Sequence, residues 1–118
     1  MKILVVDDNR DICLLIENIL LAEGYDVEFC CNPAEFKQKL DWNKPELIIT
    51  DMLMSGFDGR TLTKDIKNDP DRAGTKVMMM SAHPDASKIC ENIGVDDFLS
   101  KPFEIDDLVS KVENLLQK

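Results

Sequence analysis

Hydrophobic positions along the chain fall into two alternating patterns. Short continuous apolar runs occupy Ile3–Val6, Leu47–Ile49 and Val77–Met80, with shorter and more mixed ones at Val27–Cys31 and Phe98–Leu99. Runs without polar alternation predict strands covered on both faces, as in a parallel sheet. Between them, apolar residues recur at helical spacing. Ile12, Leu15, Ile16, Ile19 and Leu20 predict one amphipathic helix, with Gly24 just past its end as a C-cap. Asn32-Pro33-Ala34-Glu35 places a capping Asn before a Pro at the first helical position, leading into Phe36 and Leu40. Asp58 predicts the cap of a third helix through Leu62 and Ile66, ending before Asp69-Pro70. A weaker helix is expected from Pro84 to about Ile93, closed by Gly94. Ile105, Leu108, Val109, Val112, Leu115 and Leu116 predict a strong C-terminal helix.

The order is a strand followed by a helix, five times over. Right-handed crossovers turn that order into an open parallel sheet with helices on both faces. Five strands suit the doubly wound, flavodoxin-like order 2-1-3-4-5 of the α/β class. The five units fill residues 1–118 as one domain and leave no output domain within this chain. Ligands of such sheets bind beyond the carboxyl ends of the strands where strand order reverses, here between the first and third strands.

Charge narrows what such a sheet can serve. Twenty-three acidic residues against 14 basic ones give a net charge of −9. No basic face is expected to meet nucleic-acid phosphates or an anionic membrane. A hydrophobic content of 44% supports a packed core rather than disorder. The apolar run before Asp7-Asp8 is too short for a signal peptide or a membrane span, so a cytoplasmic location is expected. Cys13, Cys30, Cys31 and Cys90 show no CxxC or Cys/His metal spacing and read as reduced, mostly buried thiols. His83 is the one histidine, which excludes HExxH zinc chemistry, and no glycine-rich nucleotide loop is present.

The chemistry lies at the predicted strand ends. The first strand ends in Asp7-Asp8, the third in Thr50-Asp51, the fourth in Ser81 and the fifth in Ser100-Lys101-Pro102. Each alone is an ordinary polar residue closing a strand. Together they bring three carboxylates, a hydroxyl and an ammonium to one edge of the sheet. Two carboxylates about 4 Å apart repel by roughly 4 kcal/mol at an effective dielectric near 20, so the cluster needs a proton or a cation. Mg²⁺ suits it, because that ion takes a few carboxylates, keeps water and accepts phosphate oxygens. With Lys101 and Ser81 nearby, Asp51 can then serve as a carboxylate nucleophile for a phosphoryl group.

These residues carry a resemblance. Ile3-Leu4-Val5-Val6-Asp7-Asp8-Asn9, Leu47-Ile48-Ile49-Thr50-Asp51-Met52-Leu53-Met54, Asp58-Gly59, Met80-Ser81-Ala82 and Phe98-Leu99-Ser100-Lys101-Pro102-Phe103 stand in the order and spacing of a known family. Over essentially its whole length the chain resembles the response-regulator receiver domains of two-component signalling, and is similar to the single-domain receivers of chemotaxis. The resemblance implies that Asp51 is the phosphoacceptor. It implies that Asp7, Asp8, Asp51 and the backbone carbonyl of Leu53 hold Mg²⁺, one of the paired acids acting through water. Lys101 would contact the phosphoryl oxygens, its bond to Pro102 being cis. Ser81 would move toward the phosphoryl group. Phe98 would be the aromatic switch residue, its plain alternative being a core side chain. The fourth helix, fifth strand and fifth helix would form the output face.

The resemblance also implies a donor, either a sensor histidine kinase or a histidine phosphotransfer protein, and an output protein that the sequence does not name. Such a domain catalyses only its own phosphorylation and hydrolysis and is not a conventional enzyme. Leu53 and His83 occupy the positions that tune phosphoryl lifetime. Leu53 cannot hold water by hydrogen bonding, and His83 is either a weak acceptor or base, or simply the residue before Pro84 at a helix start. One departure is Ser55, where the family usually has Pro. Two rival readings stay open. A Mg²⁺-dependent phosphohydrolase would carry an acid two residues after the nucleophile, where Leu53 stands, and an inserted cap. A receiver-like interaction module that is never phosphorylated would not need the acidic set and Lys101. Elsewhere, Met78-Met79-Met80 reads as a buried strand and Trp42 as packing at a helix end. Asp106-Asp107 reads as acid in a first helical turn, and Asp96-Asp97 as a solvated turn.

Overall fold

The computed structural model describes residues 1–54, 57–72, 74–83, 85, 88 and 93–117. The helix expected from Pro84 to Ile93 falls largely outside these, as do Ser55 and Cys90. Chain order runs β1 (Lys2–Val6), α1 (Arg10–Ala22), β2 (Asp26–Cys30), α2 (Phe36–Asn43) and β3 (Leu47–Asp51). A two-stranded hairpin of β4 (Leu53–Met54) and β5 (Phe57–Asp58) follows, then α3 (Gly59–Asn68), β6 (Lys76–Ser81), β7 (Asp97–Ser100) and α4 (Ile105–Leu116). The main sheet is parallel throughout, in the order β2-β1-β3-β6-β7. With the small hairpin set apart, that is the expected order 2-1-3-4-5.

The continuous apolar runs are strands because both faces are covered. Successive side chains of a strand point to opposite faces. Ile3 and Val5 therefore join Leu47, Ile49, Met78 and Met80 on one side, packed with Cys13, Ile16 and Leu20 of α1 and Leu108 and Val112 of α4. Leu4, Val6, Ile48 and Val77 join the other side with Phe36 and Leu40 of α2 and Leu62 and Ile66 of α3. All four residues from Ile3 to Val6 are buried.

The helix ends follow local chemistry. Asn9 caps α1, its side-chain oxygen accepting from the amides of Asp11 at 2.9 Å and Ile12 at 3.3 Å. Gly24, at φ 92°, closes α1. Its amide donates to Leu21 O and that of Tyr25 to Leu20 O, the paired bonds of a Schellman end. Asp58 caps α3 through the Arg60 amide at 2.8 Å. Three expectations need correction. Pro33 does not start α2. Pro33–Glu35 forms a 3-10 turn, with the Asn32 side chain accepting from the Ala34 amide, and α2 begins at Phe36. Leu15 and Ile105 lie in their helices but face outward, 45% and 55% exposed. Asp96-Asp97 is only in part a solvated turn: Asp96 is an exposed bend, but its Oδ2 accepts from the Val77 amide and from Lys67 Nζ, and Asp97 already opens β7 with Lys111 against its carboxylate. Among the described cysteines Cys13 and Cys30 are buried, Cys31 is half-buried, and all three are free thiols. Among the described residues no helix is long and apolar enough to cross a membrane.

Candidate functional site

The carboxyl ends of β1, β3, β6 and β7 meet at one edge of the sheet. Asp7 follows β1 directly and is buried, 1% exposed. Its backbone fixes it from two sides: its amide donates to Cys30 O at 3.2 Å, and its carbonyl accepts from the Cys13 thiol at 3.3 Å. Asp7 Oδ1 accepts from the Asn9 amide at 2.9 Å. Asp51 closes β3, with its Oδ1 accepting from the Met52 amide at 3.0 Å. Its side chain is 16% exposed. Asp8 is exposed beside them, and one carboxylate oxygen from each of Asp7, Asp8 and Asp51 lies within 4.8 Å of the others.

Lys101 reaches this cluster from the end of β7. Its Nζ donates to Asp7 Oδ2 at 2.8 Å and lies 3.5 Å from Asp51 Oδ1. The ammonium thus sits closer to Asp7 than to Asp51, a preference that spacing along the chain does not reveal. The Lys101 amide donates to Ser81 O at 3.0 Å, which ties the residue to the end of β6. The Lys101–Pro102 bond is cis. Burial pushes the Asp51 carboxyl above the usual carboxylate range; Lys101 opposes that rise and the neighbouring Asp7 adds to it. Burial works against the Lys101 charge, but the hydrogen bond and charge of Asp7, joined by Asp51, outweigh it and push the ammonium upward. Among the described residues Asp51 Oδ2 takes no hydrogen bond, so one oxygen is anchored and the other remains available.

Ser81 is 7% exposed at the end of β6, and its Oγ accepts from the His83 amide at 3.0 Å. His83 is exposed, and its Nδ1 accepts from the Asp85 amide at 3.1 Å. That bond puts the proton of a neutral ring on Nε2. Phe98 is half-buried against Met52 and Met79, with Ile93 and Val95. Its strand, β7, is separated from the strand that carries Asp51 by β6. Leu53 lies in β4, two residues past Asp51, with its backbone paired to Asp58.

One contributor carries no polar side chain. The Gly59 amide donates to Met52 O at 2.7 Å, and a Cβ placed on Gly59 would stand 2.2 Å from Asp51 O. The start of α3 therefore packs directly against the backbone that holds Asp51. The Asp58-Gly59 pair was visible in the chain, but only the tertiary contact explains why the second residue lacks a side chain.

The donor set is chemically coherent. Three carboxylates, two of them largely buried, share the partial neutralisation of one ammonium, and their oxygens suit a hard divalent cation. Comparisons with known proteins bear on the chain as a whole. The sequence profile of the response regulator receiver domain matches residues 3–113. The transcriptional regulatory protein GltR of Pseudomonas aeruginosa is 31% identical over 119 residues, covering 99% of this chain and 49% of that protein. The phosphate regulon transcriptional regulatory protein PhoB of Rhizobium meliloti is 28% identical over 119 residues, covering 99% and 52%. The chain spans about half the length of these curated relatives. Among solved structures, a two-component response regulator from Clostridium difficile superposes with a TM-score of 0.88 at 31% identity, covering 100% of this chain and 97% of that one. The receiver domain of a signal transduction histidine kinase from Syntrophus aciditrophicus gives 0.88 at 32% identity, covering 98% and 89%.

Proposed function

From the premise that this chain belongs to the response regulator receiver family, we propose that it is a phosphorylation-switched signalling module in which Asp51 accepts a phosphoryl group from a phosphohistidine. The observation that carries this reading is the division of labour at Asp51: Oδ1 is held by the Met52 amide and faces Lys101, and Oδ2 is left to react. Oδ2 attacks phosphorus, the P–N bond to the donor imidazole breaks, and the leaving nitrogen takes a proton. Asp7, Asp8, Asp51 and the Leu53 carbonyl are the residues that would hold Mg²⁺. The clustered carboxylate oxygens fit a hard cation, and among the described residues Lys101 is the side-chain cation paired with them. When bound, the ion supplies charge neutralisation for the phosphoryl oxygens.

Lys101 contributes a second positive charge on the side of Asp7 and can turn from that carboxylate to a phosphoryl oxygen. Ser81 can exchange the His83 amide for the same group. Phosphorylation adds roughly −1.5 to −2 charge, by analogy with other phosphorylated side chains. The rearrangement of Ser81, and of Phe98 against Met52 and Met79, would carry the change to the face that includes β7 and α4. His83 and Leu53 would tune how long the group persists. The donor is a sensor histidine kinase or a phosphotransfer protein, and the cytoplasm is the compartment this reading implies. Catalysis is confined to the module's own phosphorylation and hydrolysis, and it does not turn over an external substrate.

The test is intact-mass analysis of wild type and Asp51→Asn after exposure to a small acyl phosphate with and without Mg²⁺. Wild type should gain one phosphoryl group only with the ion, and Asp51→Asn should gain none. A variant that still acquires an acid-labile group refutes the assignment.

A further inference from the structure

We propose that Arg10 is a positioning residue that draws doubly charged phosphoryl donors toward Asp51. This inference rests on the acceptor role proposed for Asp51. A phosphoryl donor is an anion approaching a chain of net charge −9 and a pocket of three carboxylates. Lys101 and a bound divalent ion offset that repulsion at the pocket itself, and a cation outside it can act on the donor at longer range. Arg10 is the first residue of α1, two positions past Asp8. Its guanidinium lies 5.6 Å from the centre of the Phe29 ring, and Lys39 Nζ lies 5.8 Å from the same centre. Lys39 also donates to Phe29 O at 2.7 Å. One half-buried aromatic ring near the end of β2 thus gathers two cations from α1 and α2.

The means of holding Arg10 is what makes it useful. Arg60, Lys67, Arg72, Lys101 and Lys111 all stand against carboxylates, which cancel much of their field. Among the described residues Arg10 forms no ion pair. A ring face orients a guanidinium without neutralising it. The charge is therefore fixed in place and still felt by an approaching anion. Phe29 pairs with Val5 of β1, and β1 pairs with β3, which ends in Asp51. Val5 in turn stands opposite Ile49, two residues before Asp51, so two strand spacings across and two residues along put the Phe29 backbone on the order of 12 Å from the acceptor. At that range in water one positive charge changes the encounter of a dianion by about three- to fourfold at low ionic strength. Screening lengths of ~3 Å near 1 M salt abolish the effect. If Arg10 only stapled α1 to β2, its loss would carry no such salt dependence.

The experiment measures second-order rate constants for phosphorylation at saturating Mg²⁺, read by intact mass, for wild type, Arg10→Gln and Arg10→Lys. The donors are an acyl phosphate, a dianion, and phosphoramidate, which carries less charge. Arg10→Gln should lose about three- to fourfold with the acyl phosphate at low salt, less with phosphoramidate, and nothing near 1 M salt. Arg10→Lys should keep most of the wild-type rate. Equal rates for Arg10→Gln and wild type at low salt overturn the inference, as does a loss that is the same at every salt concentration. A wild-type chain that gains no phosphoryl group overturns the acceptor role itself, and this inference with it.

Discussion

Gly59→Ala tests whether the start of α3 positions the nucleophile. The new methyl carbon would stand 2.2 Å from Asp51 O, 3.2 Å from Asp51 C and 3.2 Å from Met52 O. Ordinary contact begins near 3.4 Å, so the first distance is short by 3.4 − 2.2 = 1.2 Å. Neither partner gives way cheaply, because all three atoms are backbone. β3 is the central strand, paired to both β1 and β6. The first turn of α3 is tied by the Asp58 cap, by the 2.7 Å bond from the Gly59 amide to Met52 O and by Thr63 Oγ1 donating to Gly59 O at 2.9 Å. Overpacking of this kind costs about 1–3 kcal/mol, a fall in Tm of roughly 4–15 °C for a domain of this size. A displacement of about 1 Å at a reacting group costs ~100-fold in rate. Thermal denaturation and phosphorylation by an acyl phosphate should therefore fall together. Gly74→Ala is the control: a Cβ there meets nothing within 4 Å, so Tm should hold or rise slightly. A Gly59→Ala protein with unchanged Tm and a rate within about twofold of wild type would refute the close-packing argument.

Four further outcomes follow from the same geometry. Asp51→Asn should stabilise the Mg²⁺-free protein near neutral pH, because burial raises the Asp51 carboxyl and makes its ionised form a cost to the folded state. That gain should shrink as pH falls through the raised value toward the unfolded ~3.9, where the wild-type side chain is already protonated; urea denaturation at both ends of the range measures it. Lys101→Met should destabilise the Mg²⁺-free protein by about 1–3 kcal/mol, less than for a fully buried pair because the lysine is partly exposed, and added Mg²⁺ should raise its Tm more than that of wild type. Asp58→Ala should cost ~1 kcal/mol through loss of the α3 cap; the hydrogen bond from Arg60 holds the Asp58 carboxyl low, so the difference from wild type should narrow only in acid. Alkylation of the native protein followed by peptide mapping should modify Cys31 and spare Cys13, whose thiol is fully buried and pushed up to about 12.

The strands were legible because burial on both faces leaves an unmistakable run, and their carboxyl ends named Asp7, Asp8, Asp51, Ser81 and Lys101 before any geometry was known. Pairing order followed from the strand count, since five strands suit the doubly wound order 2-1-3-4-5. What stayed hidden depends on contacts between distant residues. Leu15 and Ile105 fit a helical period, yet a period gives the apolar stripe only to within one residue, and both fall outside it. Pro33 suits a first helical turn, but Asn32 and the Glu35 amide close a tighter one, and α2 starts later. Asp96 looked like solvent-facing acid, since nothing in the local sequence points to the Val77 amide 19 residues away. Arg10, Phe29 and Lys39 belong to three different elements, so only the folded chain shows that they converge.

The site also shows how far the chain itself neutralises so acidic an edge. Asp7 is almost wholly buried, and a bare carboxylate there would be costly to desolvate. Its carboxylate is satisfied by the Asn9 amide on one oxygen and Lys101 on the other, while its backbone is clamped from β2 and α1. Asp51 has fewer partners and carries the raised affinity for a proton. Burial and the neighbouring Asp7 thus place a strain on the charge of the residue proposed to react. Neutralising Asp51 relieves that strain, whereas removing the charge of Asp7 takes away the nearer partner of Lys101 at 2.8 Å and leaves it the longer contact to Asp51 at 3.5 Å. The two substitutions should thus have opposite effects on stability even though both delete one negative charge from the same cluster. Asp7→Asn should lower the Tm of the Mg²⁺-free protein where Asp51→Asn raises it. Equal shifts for the two would show that the cluster responds only to its total charge, not to where Lys101 is anchored.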